Sequence, residues 1–165
     1  MRMIHWLFAI SVALFVSGIG FIVAGARAEQ RAAPAQAAVA PPAIAPVATV
    51  TQLMDGIIQP SATVVFESVG TIVDATGIHE QQPRTDTEWA TVGASAASIV
   101  EAANLLLIGD RAVDQGEWAK MARAMADAAM LVVKATEAKD AQAVLAAGEP
   151  LNASCDACHA QYQRE

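Results

Sequence analysis

Cations are scarce in this chain. Of its 165 residues, 10 are Lys or Arg against 17 Asp or Glu, a net charge of −7. Arg2, Arg27, Arg31 and Glu29 lie in the N-terminal fifty residues, so residues 51–165 hold 7 basic and 16 acidic side chains. That shortage of basic residues argues against nucleic acid as a partner, because phosphate recognition needs a basic face. An acidic surface permits steering toward a basic protein. Strand-type alternation is weak, and no solenoid repeat is visible. A serine-nucleophile motif, a phosphate-binding loop and a pair of carboxylates set around a substrate are all missing, so the chain is not expected to be an enzyme. Cysteine is scarce too: Cys155 and Cys158 are the only two, and both fall in the C-terminal stretch LNASCDACHAQYQRE.

Charge is also missing from one long run. Residues 7–26, LFAISVALFVSGIGFIVAGA, carry none; Arg2 precedes them and Ala26-Arg27-Ala28 follows, a small-x-small cleavage pattern. The combination is an export signal, and the run is long enough to span a bilayer. Residues 1–28 are therefore a signal peptide or a retained membrane anchor, with length favouring the anchor. Either places the remainder outside the cytoplasm, in the periplasm. Residues 29–50 are rich in Ala and Pro, including Pro34, Pro41, Pro42 and Pro46, and read as an extended linker.

Residues 51–165 carry helical periodicity in four stretches. The first, residues 51–73, has Leu53, Ile57, Ile58, Val65, Phe66, Val69 and Ile72 at helical spacing, with a kink or break expected near Gln59 because of Pro60. Residues 74–84 read as the longest loop of the domain. The second stretch opens on a capping box, Thr85 with Glu88, and presents Trp89, Val92, Ala96, Ile99, Ala103 and Leu106, with Gly109 placed to close it in a left-handed conformation. The third is expected to start at Asp114 and buries Trp118, Met121, Met125, Ala128 and Val132; Met130 also reads as core. The fourth takes Asp140 as N-cap and runs through Pro150, where it should bend, to the end of the chain. Four such helices joined by short loops make an all-α fold, an antiparallel four-helix bundle. Its many interior alanines leave room for something other than side chains.

Cys155-Asp156-Ala157-Cys158-His159 is C-x-x-C-H, the attachment signal for c-type haem. On a helix, positions i, i+3 and i+4 share a side. Two thiols so placed can add across the two vinyl groups of one porphyrin, and the imidazole between them and the chain end can bind the iron. Other readings fit less well. Structural zinc needs four ligands, and beyond these three the domain has only His79, far away in sequence. A thioredoxin-type motif opens a helix after a strand, whereas this one closes the last helix. A disulfide across one helical turn would constrain almost no loop.

With this motif near the end of its last helix, the chain resembles the class II cytochromes c, the family of cytochrome c′ and the six-coordinate cytochrome c556. Tyr162, three residues after His159, stands where that family commonly has an aromatic. The resemblance implies one covalent haem c between helices, with Cys155 and Cys158 as thioethers and His159 as proximal ligand. It also implies a question at the sixth position. Cytochromes c′ put an apolar residue of the first helix there and bind small gases, while the c556-like branch uses a methionine. Met54 is the candidate sixth ligand at the comparable place; a core methionine is the other reading. Gln163 departs from the Arg or Lys usual after the aromatic. Single-electron transfer with redox partner proteins, some membrane-bound, is the function implied, with nitric oxide or carbon monoxide binding as the alternative. Family members often form homodimers.

Overall fold

The computed structural model describes residues 2–32, 44–114 and 116–163. It divides into two compact units, Met1–Pro42 and Ala43–Glu165. The first contains helix α1, Arg2–Ala32. Within it Met3–Ile22 is an apolar span of 20 residues, long enough to cross a membrane and with none of its window buried inside the chain. Half of the expected linker, residues 33–43, lies outside the described residues; its first four residues continue α1 instead of being extended, and its last, Val50, opens α2.

The second unit is mostly helical: α2 (Val50–Leu53), a π-helical segment (Met54–Ile58), α3 (Gln59–Glu67), α4 (Asp86–Leu105), α5 (Glu117–Glu137) and α6 (Ala141–Tyr162). Folded structure starts ahead of residue 51. Thr49 closes a capping box with Gln52 over α2, and Pro46 packs against Gly109. The buried Arg111 donates from Nε to the Ala48 carbonyl at 2.8 Å and from an Nη to the Leu105 carbonyl at 3.1 Å. This guanidinium fastens the segment before α2 to the end of α4.

Pro60 does not break the first helical stretch. It has no amide to offer the Gly56 carbonyl, and its ring crowds that oxygen. The chain widens instead, with the Gln59 amide donating to the Met54 carbonyl five residues back, and remains helical through Gln59. The stretch ends at Glu67, earlier than periodicity implied, where the Ser68 hydroxyl bonds the Val65 carbonyl. Ile72 therefore lies in a strand. In place of a plain loop the chain forms an antiparallel hairpin, β1 (Gly70–Asp74) with β2 (Gly77–Gln81), in register Val73↔Ile78. Asp74 Oδ1 accepts from the Thr76 amide and hydroxyl, and Gly77 takes a φ of +135° that tightens the turn.

The expected Thr85–Glu88 box opens α4, and Asp140 caps α6 by accepting from the Ala143 amide. Gly109 does adopt a left-handed φ of +66°, but within a short 3₁₀ turn beyond the end of α4, not as its cap. Helix α5 starts at Glu117 instead of Asp114, which acts from outside the helix: its Oδ1 accepts from the Gly116 and Trp118 amides. Helices α4 and α5 pack antiparallel. The Trp118 indole donates to the Leu106 carbonyl near one end, and Lys139 pairs with Asp86 at 2.7 Å near the other. Helix α6 packs on α5, and α3 packs on both α4 and α6. Ala96, Ile99, Ala129, Val132 and Leu151 are fully shielded at their shared core. The small side chains bring the helices close: a Cβ at Gly93 would meet Thr136 Oγ1 at 2.9 Å. Met125 is core as expected, but Met130 is exposed on the outer face of α5.

Candidate functional site

The last turns of α6 form one wall of a cavity of about 340 Å³. Cys155, Cys158 and His159 all line it, as helical spacing requires. The opposite contributions come from the first helical stretch, with Met54, Ile58, Ala62 and Phe66, and from Leu106, Trp118, Met121 and Met125. A second cavity of about 540 Å³ adjoins, sharing Met54, Gln59, Trp118, Cys158 and His159 and adding Val113, Tyr162 and Gln163. Met54 is half-buried and lines both. Thus the four residues expected from the sequence to form one site are brought together.

Apolar side chains predominate in the walls; Gln59, Thr63, Asn152 and Ser154 add polar groups to the first cavity and Thr51, Tyr162 and Gln163 to the second, and the carboxylates are Asp156 and Asp55; among the described residues no Lys or Arg lines either cavity. The two thiols are free. Burial pushes both upward from the ordinary thiol range; at Cys155 the Asp156 carboxylate also acts in that direction, and at Cys158 the neighbouring Cys155 does. This is the reverse of the activated thiol of a thioredoxin-type centre. Among the described residues no three His, Cys, Asp or Glu side chains converge as a metal cage. His79 is outside both cavities, on the hairpin, with its Nε2 at 2.8 Å from the Thr76 hydroxyl. His79 is therefore not placed to complete a zinc site with Cys155, Cys158 and His159.

The donor set instead suits a flat, apolar, metal-bearing ring. Two thiols and an imidazole share one side of a helix, a thioether sulfur lines the same space from another element, and most of the remaining wall is apolar, with Gln59, Thr63, Asn152, Ser154 and Asp156 as its polar members.

One part of the site had no sequence signal. Tyr162 donates its hydroxyl to Asp114 Oδ2 at 2.5 Å, while its ring meets Trp118 edge-on, with centroids 5.0 Å apart at 80°. The Asp114 carboxylate thus serves two helix ends, taking α5 amides on one oxygen and the end of α6 on the other. Its carboxyl is held below the usual range, first by the Tyr162 hydroxyl and then by the α5 amides. The same bond pushes the Tyr162 phenol up to about 12.

Compared with known proteins, the chain matches no family model, no curated protein and no solved structure.

Proposed function

We propose that this chain is a monohaem c-type cytochrome of the class II kind, an antiparallel four-helix bundle that carries single electrons at the periplasmic face of a membrane. The observation that carries the reading is the convergence of Cys155, Cys158, His159 and Met54 on one largely apolar space. Cys155 and Cys158 would hold the haem through two thioethers, His159 would bind the iron through a neutral ring nitrogen, and Met54 would take the sixth position. When bound, the haem supplies a one-electron ferric–ferrous couple whose potential follows its axial ligands and surroundings. Ile58, Phe66, Leu106 and Trp118 would pack against the ring and reduce its contact with water. The acidic surface favours a basic redox partner protein. Helix α1, retained, would confine the domain near membrane redox complexes and raise its local concentration there.

A specific observation favours a second reading, binding of nitric oxide or carbon monoxide. Met54 opens the π-helical segment, an irregularity frequent at functional sites, and in this reading its sulfur would yield the sixth position to the gas. The visible spectrum of the reduced protein separates the two. A sharp low-spin α band that carbon monoxide leaves alone is expected for the electron carrier. A broad high-spin spectrum that changes with the gas would support gas binding instead.

A further inference from the structure

The site described so far ends at the residues that line it, but the geometry around His159 includes a group that sets how firmly the imidazole is held. His159 sits in the last turn of α6, where helices fray, and is itself exposed. Beyond it the Gln163 amide bonds the His159 carbonyl, and the Tyr162 side chain reaches out of the helix. Tyr162 is three residues on, so it lies on the same side of the helix. Its hydroxyl reaches Asp114 Oδ2 at 2.5 Å, and its ring abuts Trp118, which itself donates to the Leu106 carbonyl. Asp114 is fixed in turn by the Gly116 and Trp118 amides, which bond Oδ1 at the start of α5. The end of α6 is therefore tied, through one carboxylate, to the start of α5 and the end of α4.

We infer that Asp114 is a positioning residue for the iron site, acting through Tyr162 to hold the last turn of α6, and with it His159, against the cavity. The inference rests on the haem reading. Trp118 and Tyr162 act as the wall behind His159. Tyr162 needs its hydroxyl as well as its ring, because the ring contact alone leaves α6 free to slide along the indole. A purely structural latch would alter unfolding and nothing else. A positioning latch also alters the electronic state of the iron: a loosened imidazole donates less to the ferric form, and the potential rises.

The test is a double-mutant cycle on the holoprotein, made with cytochrome c maturation machinery, read by midpoint potential and by amide exchange in the last turn of α6. Tyr162→Phe keeps the ring and removes only the donor. It is expected to raise the potential and speed exchange at Gln163 in the otherwise unchanged protein, and to do neither in an Asp114→Ala background, where the acceptor is already gone. A Tyr162→Phe holoprotein with unchanged potential would overturn the inference while leaving the haem reading intact, as would an equal upward shift in both backgrounds. Unsubstituted protein that comes out of the same host without haem would overturn the haem reading first, and this inference with it.

Discussion

Met54, in the first helical stretch of the domain, and His159, in the last turn of its final helix, line the same two cavities. Nothing local brings them together; the packing of α3 on α6 and α4 does. Replacing Met54 by Ala is expected to convert a low-spin reduced spectrum into a high-spin one that responds to carbon monoxide, with haem content unchanged. A variant that keeps the low-spin spectrum would rule Met54 out as a ligand.

The π-helical segment places Met54, and Pro60 is the reason for it. A π turn amounts to one extra residue, so returning the stretch to α-helix would rotate everything before it by about 100°. Pro60→Ala restores the missing amide. It is expected to disturb the sixth ligand as Met54→Ala does, while raising helicity slightly or leaving it alone. A Pro60→Ala spectrum identical to that of the parent protein would detach the proline from the site.

Tyr162 is the single tyrosine of the chain, so phenolate absorbance reports it alone. Its titration is expected near 12, against an ordinary value of about 10. The folded value is raised, so the hydrogen bond's contribution is complete below the ordinary value and is lost as pH climbs through the raised one. For Asp114 the sign is opposite: its value is depressed, and the contribution present above the ordinary carboxylate range disappears as pH falls through the lowered one. Asp114→Ala should return the tyrosine to about 10. A parent titration already near 10 would mean that the bond to Asp114 does not persist in solution.

Arg111 is a buried cation bonded to two carbonyls. Arg111→Ala strips both partners from the Ala48 and Leu105 oxygens and is expected to lower unfolding free energy by about 2 kcal/mol. Because the segment it holds leads into α2, amide exchange at the start of that helix should rise as well. Denaturant melts that superimpose on those of the parent would show the clasp to be dispensable.

The convergence of Cys155, Cys158 and His159 on one cavity was legible because its information is local. C-x-x-C-H fixes its own geometry once a helix is granted, and the face running from Trp89 to Leu106 is buried as its spacing implied. The Thr85 and Asp140 caps needed only three residues of context. What escaped was longer in range or cooperative. Asp114 carries cap chemistry in sequence, but its bond to Tyr162 spans helices that meet only on folding. Arg111, in a polar turn, gave no sign of burial. The hairpin was hidden because its strands are short and almost wholly exposed, so no apolar alternation marks them. An irregularity near Gln59 was legible from Pro60, but its form was not, because a helix has two ways to lose a hydrogen bond, breaking or widening, and local sequence does not choose between them.

The central claim is that Cys155 and Cys158 hold a haem covalently. The most direct measurement is the intact mass of the protein after denaturation, from a host with cytochrome c maturation, beside a Cys155→Ser/Cys158→Ser variant. The account predicts protein heavier by one haem that survives denaturation, with iron at one per chain, and a double variant at the bare polypeptide mass. Parent protein at the bare polypeptide mass, colourless and free of iron, would contradict it.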